Sequence, residues 1–237
     1  MKITEIETIP VSLPVGFFND GMCKVRGVNA PYYSGREQKG TRRVGPKDEL
    51  VLDDLIVKIH TDEGHTGVGA AAPDIGFFGE PLESVNAIID GYMTPNLIGL
   101  DPFDVELIMQ IVNQSGGSHS VLAASGIDLA LYDLLGKSLN MSVSKLLGGV
   151  QKEKILLATE VPRGTPDKMA EHSLEYFQQG VRGFKAKIGS NAEQDARSLK
   201  AMREVLGEKV SLRADANQGY TPKEAIKLCR LAEKYDT

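Results

Sequence analysis

Cysteine is nearly absent from this chain. Cys23 and Cys229 are its only two, and they stand too far apart to form a disulfide framework or a zinc motif, so a reducing compartment is the simpler expectation. Long apolar runs are missing as well. Nothing approaches the roughly 18 consecutive apolar residues of a membrane span. The opening MKITEIETIPVSLPV alternates polar and apolar residues and lacks the continuous apolar stretch of a signal peptide. No membrane partner is therefore expected, and a cytoplasmic location is the default. There is also no block of like charge. The 27 Lys and Arg against 32 Asp and Glu leave a net charge of −5, which argues against nucleic acid as a partner. The nearest basic cluster, KGTRRVGPK around Arg42 and Arg43, reads first as a solvated loop and second as an anion-contacting lid.

What is present is ordinary for a globular protein: 237 residues, 41% hydrophobic and 25% charged, enough for one large domain or two smaller ones. Residues 2–13 alternate like a half-buried strand, and Pro10 and Pro14 make it an edge strand that ends quickly. From Pro14 to about Glu49 the sequence is rich in Gly, Pro, Asn and charge. It carries Phe17, Phe18, Tyr32 and Tyr33 without helical or strand period, and loops of that length usually serve as functional lids or are disordered. The aromatics favour a lid. DDLIVKIHTD and GHTGVGAAAP, joined by Asp62-Glu63-Gly64, form a β-hairpin that completes a small antiparallel sheet with the first strand. His60 and His65 flank its turn and read as surface residues, since no further metal ligands stand nearby.

Helical spacing follows at Pro81–Asn96, Pro102–Asn113 and Val121–Leu135, the last with small residues that permit close packing on a neighbour. After Leu146-Leu147-Gly148-Gly149 the pattern changes. A buried strand is expected over Ile155–Thr159, then a helix over Pro166–Gln179 with Met169, Leu174 and Phe177 inward. A strand at Val181–Ile188 and a helix at Ala192–Leu206 come next. A strand at Val210–Asp215 and a helix at Pro222–Tyr235, with Ala225, Ile226, Leu228 and Leu231 inward, complete the series. Strands alternating with helices of this length imply three parallel β/α units.

Side chains on a strand point to opposite faces with a period of two. Lys185 and Lys187 in FKAKI therefore share a face, and so do Asp215 and Asn217 in LRADAN. Two parallel strands joined by a helix would set two ammonium groups beside a carboxylate and an amide, a candidate proton-transfer and metal site. A lone Lys-x-Lys would be an exposed polar face. The Asp215-x-Asn217 pair one β/α unit later sets that face beside a carboxylate and an amide.

With these residues in view the chain resembles the enolase superfamily, specifically the mandelate racemase and muconate-lactonizing enzyme family, in its muconate-lactonizing branch. The resemblance rests on Lys-x-Lys at 185–187, on Arg213-Ala214-Asp215-Ala216-Asn217-Gln218-Gly219, on SGIDLALYDLLGKSLNMSVSKLLGG from Ser125 to Gly149, and on the HTDEGHTGVG hairpin. It implies an α+β capping domain over residues 1–122 with a long lid loop at about 14–50, a junction helix and connector over 123–150, and three βα units of a (β/α) TIM-type barrel over 151–237. A whole barrel of this type takes about 250 residues, so the chain is expected to be truncated after the third unit and the barrel to be incomplete.

The chemistry implied by the resemblance is abstraction of the α-proton of a small carboxylate substrate to give a metal-stabilised enediolate, in a racemase, epimerase, cycloisomerase or dehydratase. Mg²⁺ is the implied cofactor. Asp215 is then the first metal ligand, Lys187 the base, Lys185 a like charge that lowers the pKa of Lys187, and Asn217 a substrate contact. The resemblance further implies a homo-oligomer at full length. A lone Asp holds Mg²⁺ poorly when the other ligands are water, so the isolated chain is expected to be inert. The alternatives are a non-catalytic remnant that needs a partner, and a binding module for small carboxylates.

Overall fold

The computed structural model describes residues 1–14, 22–25, 28–31, 51–75, 78–116 and 120–237. The chain divides into two compact units, the first built from Met1–Phe17 and Gln38–Glu153, the second from Phe18–Glu37 and Lys154–Thr237.

In the first unit β1 (Ile3–Pro14), β4 (Val51–Thr61) and β5 (Thr66–Ala71) form an antiparallel sheet in the order β1-β4-β5. The period of two is visible in what it buries: Leu55, Val57 and Ile59 of β4 have no exposed surface, and Ile3 and Ile6 of β1 lie beside them in one core. The hairpin turn forms at Asp62–Gly64, where Gly64 takes φ +80° and its N–H donates to the Thr61 carbonyl at 3.1 Å.

Helix α4 (Val121–Ser138) packs on this sheet through Ala123, Gly126, Ile127, Ala130, Leu131 and Leu134. The approach is close because β5 offers glycines. A Cβ on Gly69 would meet the carbonyl of Gly126 and lie 2.6 Å from the N of Ala130, and one on Gly67 would meet the carbonyl of Ala130.

The periodicity of residues 81–96 predicts one helix, but the structure breaks it into α1 (Leu82–Ile88), a π-turn at Ile89–Met93 and α2 (Thr94–Leu97). Pro95 is the physical reason. It has no N–H to give to the residue 91 carbonyl, and its ring would clash with that carbonyl in an unbroken α-helix. The next helix, α3, runs Val105–Gly116 and starts three residues after Pro102. Asp101 holds Pro102 and Phe103 in a turn: its carboxylate accepts the Phe103 N–H at 3.0 Å and its carbonyl accepts the Asp104 N–H at 3.0 Å. A short helix α5 (Val143–Leu146) follows α4.

The second unit has a parallel sheet in the order β6-β7-β8, formed by β6 (Thr159–Val161), β7 (Gly183–Lys187) and β8 (Ser211–Asp215). Helices α6 (Pro166–Gln178), α7 (Ala192–Leu206) and α8 (Pro222–Ala232) alternate with the strands. This is an α+β unit followed by a partial barrel-like β/α sheet, as the sequence predicts. Phe184, Ala186 and Leu212 from the sheet meet Met169, Tyr176, Leu199, Met202 and Leu228 from the helices in one core.

Three details depart from expectation. The first strand is β6 at Thr159–Val161 rather than Ile155–Thr159, and Ile155, Leu156 and Leu157 are 74%, 65% and 79% exposed. The run is apolar enough to be core, but the parallel pairing begins only at Thr159, opposite Phe184. In α6 the buried residues are Met169, Ser173 and Tyr176, while Leu174 is 37% exposed. Spacings of four and seven keep a helical face, whereas five residues from Met169 rotate Leu174 roughly 140° away from it. In α8 it is Leu228 and Ala232 that are buried, and Ile226 is exposed for the same reason. Met169→Ala should therefore lower stability by about 2–3 kcal/mol and Leu174→Ser by less than about 0.5 kcal/mol. Urea unfolding monitored by circular dichroism checks the contrast.

Within the predicted lid, β2 (Met22–Val25) and β3 (Val28–Pro31) pair as an antiparallel hairpin, where the sequence showed no strand period. Most of the rest of that stretch, including Phe17, Phe18, Tyr32, Tyr33, Arg42 and Arg43, lies outside the described residues.

Candidate active site

The parallel register sets the site. Lys187 of β7 stands beside Asp215 of β8, and Lys185 beside Arg213 on one side and Glu160 of β6 on the other. All four residues singled out in the sequence come together here. Lys185 Nζ lies 2.7 Å from Asp215 Oδ2, and Lys187 Nζ lies 2.9 Å from the same oxygen. Lys187 Nζ also donates to Asn217 Oδ1 at 2.7 Å, and the side chain is almost wholly covered, with the residue 6% exposed. An ammonium so deeply placed needs this many acceptors to offset lost hydration.

Asn217 reaches Lys187 by a different route from the one predicted. β8 ends at Asp215, and Asn217 sits past it with φ +40°, so it is not on the strand face at all. Asn tolerates the left-handed region better than other side chains. Its N–H returns to Asp215 Oδ1 at 3.0 Å, which closes the turn and aims the amide at Lys187.

Glu160 is a residue that the sequence reading did not select. Its Oε2 lies 3.4 Å from Lys187 Nζ. A strand placed over Ile155–Thr159 leaves Glu160 just outside it, and alternation along Thr159-Glu160-Val161 is too short to be a signal.

Burial by itself would push the Asp215 carboxyl up. Hydrogen bonds from Lys185, Lys187 and the Asn217 N–H overcome this and hold it well below the usual carboxylate range. A carboxyl depressed by folding stabilises the fold above its unfolded pKa of about 3.9, and the contribution is lost as pH falls through the lower folded value. The gap in urea midpoint between wild type and Asp215→Asn should accordingly be full at neutral pH and shrink below about pH 4. A gap that stays constant down to pH 2.5 would remove this account of Asp215.

Asp215 Oδ2, Asn217 Oδ1 and Glu160 Oε2 lie 2.9, 2.7 and 3.4 Å from Lys187 Nζ, and hard oxygen donors of this kind suit Mg²⁺. Among the described residues, no group of three or more His, Cys, Asp and Glu could hold a metal ion. The residues present therefore fit Mg²⁺ as contributors of a ligand and not as a full cage.

Residues 51–148 match the mandelate racemase / muconate lactonizing enzyme N-terminal domain, and residues 168–237 match the enolase C-terminal domain-like family. An L-Ala-D/L-Glu epimerase of Clostridium acetobutylicum is 36% identical over 177 residues, which are 74% of this chain and 49% of that protein. Muconate cycloisomerase 1 of Pseudomonas putida is 31% identical over 183 residues, 75% of this chain and 48% of its own. Among solved structures, the dipeptide epimerase of Enterococcus faecalis V583, complexed with Mg and the dipeptide L-Leu-L-Tyr, superposes with a TM-score of 0.79 at 28% identity. It covers 99% of this chain, which in turn covers 59% of it. The chain is thus a member of the enolase superfamily. Within it, the chain belongs to the mandelate racemase / muconate lactonizing enzyme family, and it spans about half the length of these two curated relatives. Among the described residues, no helix is long and apolar enough to cross a membrane.

Proposed function

We propose that the chain supplies the proton-transfer side of a Mg²⁺-dependent isomerase acting on a small carboxylate with an acidic α-hydrogen, such as a dipeptide or an N-acylated amino acid. The observation that carries this reading is the covered Lys187 Nζ, held within 2.9 Å of Asp215 Oδ2 and 2.7 Å of Asn217 Oδ1 at the ends of adjacent parallel strands. The epimerase and cycloisomerase names of the relatives support the reaction class.

In this reading Lys187 in its neutral amine form takes the α-proton onto Nζ, and the ammonium so formed donates to Asn217 and Glu160, which already surround it. Lys185 stays on the Asp215 side and keeps that carboxylate oriented. With the residue 6% exposed, solvent has little access to Nζ, which slows loss of the proton it takes. Asp215 would be one Mg²⁺ ligand, and the ion, when bound, supplies positive charge that offsets the negative charge developing on the substrate carboxylate. One carboxylate holds Mg²⁺ weakly. The described chain by itself should therefore turn over little, with full activity in the whole protein once further carboxylates complete the set. The whole protein is also expected to form a homo-oligomer.

The test is conversion of L-Ala-L-Glu to its epimer by the whole protein, followed by chiral chromatography. Epimer should form with Mg²⁺ and stop with EDTA. Formation that EDTA does not affect would remove the metal from the account, and no turnover of dipeptides, N-acylated amino acids or muconate would remove the isomerase reading.

A further inference from the structure

A second polar cluster joins the loops that follow Lys187 and Asp215, and the proposed chemistry does not use it. Asp195, on the first turn of α7, is 2% exposed. Its Oδ2 accepts the N–H groups of Gly189 at 3.0 Å, Ser190 at 3.0 Å and Asn191 at 3.1 Å. Those three residues form the loop that leaves β7 just after Lys187 and Ile188. The Tyr220 hydroxyl donates to the same oxygen, and Tyr220 closes the turn that leaves β8 and carries Asn217. One buried carboxylate oxygen thus takes four donors from two loops.

Asp195 is not needed as a helix cap. Asn191 already caps α7, accepting the N–H groups of Glu193 and Gln194 at 3.1 and 3.0 Å. The two loops are also in close contact. Gly189, at φ +107°, leaves room for the Ala216 carbonyl, which a Cβ would meet at 2.6 Å, and the Gly219 N–H donates to that carbonyl at 2.8 Å. A third loop joins them, because Arg163, just past β6, donates to the Ile188 carbonyl. Burial and the neighbouring Asp195 carboxylate push the Tyr220 hydroxyl well above its ordinary value, so it remains a donor throughout the working pH range.

We propose that Asp195 and Tyr220 are positioning residues that lock the loop after β7 onto the loop after β8, and so fix the spacing of Lys187 against Asp215 and Asn217. Their role rests on the reading of Lys187 and Asp215 as the working pair. They touch neither substrate nor metal in that reading. A hydrogen bond to a buried charged acceptor is strong enough for its loss to loosen a local segment without unfolding the whole.

Tyr220→Phe in the 237-residue chain removes the hydroxyl and keeps the ring. Amide hydrogen exchange at Gly189, Ser190 and Asn191 should quicken by roughly tenfold or more. The side-chain ammonium cross-peak of Lys187 in a ¹⁵N-lysine spectrum, assigned by its loss in Lys187→Arg, should shift or broaden while that of Lys227 stays in place. Asp195→Asn, which keeps an acceptor oxygen, should displace the Lys187 peak in the same direction. An unmoved Lys187 peak in Tyr220→Phe overturns the inference, whether or not the loop exchanges faster, because the cluster would then brace a loop and nothing more. In the whole protein, kcat should fall about tenfold with KM changed by less than about twofold. If the wild type proves to have no isomerase activity, the functional reading fails by itself and the lysine spectrum still decides this inference.

Discussion

Gly69→Val should prevent the first unit from folding, or leave it destabilised by more than about 3 kcal/mol. Overpacking a core usually costs about 1–3 kcal/mol because side chains can shift aside. Here the obstacle is backbone. A Cβ on Gly69 meets the Gly126 carbonyl and the Ala130 N of α4, and Gly126 in turn has Val57 Cγ2 2.9 Å from where its own Cβ would be. Neither strand nor helix can yield without opening the core that Leu55, Val57, Ile59, Ile127 and Leu131 share. Gly64→Ala, at the hairpin turn, is the control. It adds a Cβ into open space and should cost only about 1 kcal/mol for its positive φ. Urea unfolding of both variants, read by circular dichroism, separates the two effects. A Gly69→Val chain within about 1 kcal/mol of wild type would show that α4 does not pack on β5 at this distance.

Lys187→Ala should lower kcat of the whole protein by about 10²–10⁴-fold, the usual contribution of a positioned acid or base, with KM little changed. Lys187, 6% exposed, is the covered amine and is held by Asn217 as well as Asp215, whereas Lys185, 39% exposed along its side chain, lies on the same face and also pairs with Asp215. Lys185→Ala should accordingly cost less than Lys187→Ala. Equal losses in the two variants would make the pair a charge cluster with no distinct base.

How much of this was legible in the sequence depends on whether local pattern or tertiary contact sets each feature. The Lys185 and Lys187 face was legible because a strand has a fixed period of two and the β7 segment is flanked by clear helices. Asp215 followed from the same rule one unit later. Asn217 was correctly associated with Lys187 but for the wrong geometric reason, since nothing local announces that β8 stops at Asp215 and that Asn217 turns into the left-handed region. Ile155–Leu157 read as core because apolar residues usually are, and only the pairing partner on β7 decides where β6 begins. Leu174 misled because its residue type outweighed its helical angle. Glu160, Asp195, Tyr220 and Arg163 could not be found by pattern at all. Each acts through a residue at least 25 positions away, or through a loop whose geometry exists only when three strands are side by side. The π-turn at Ile89–Met93 was foreseeable from Pro95, whose missing N–H was available in the sequence.

The measurement that bears most directly on the account is exchange of a substrate's α-hydrogen with solvent. The whole protein would be incubated in D₂O with Mg²⁺ and L-Ala-L-Glu and followed by ¹H NMR. The account predicts loss of the glutamyl α-proton signal with wild type, and its persistence with Lys187→Ala and with Asp215→Asn. Exchange at the wild-type rate in Lys187→Ala would contradict it, because the proton would then be moved by a group other than the covered amine between β7 and β8.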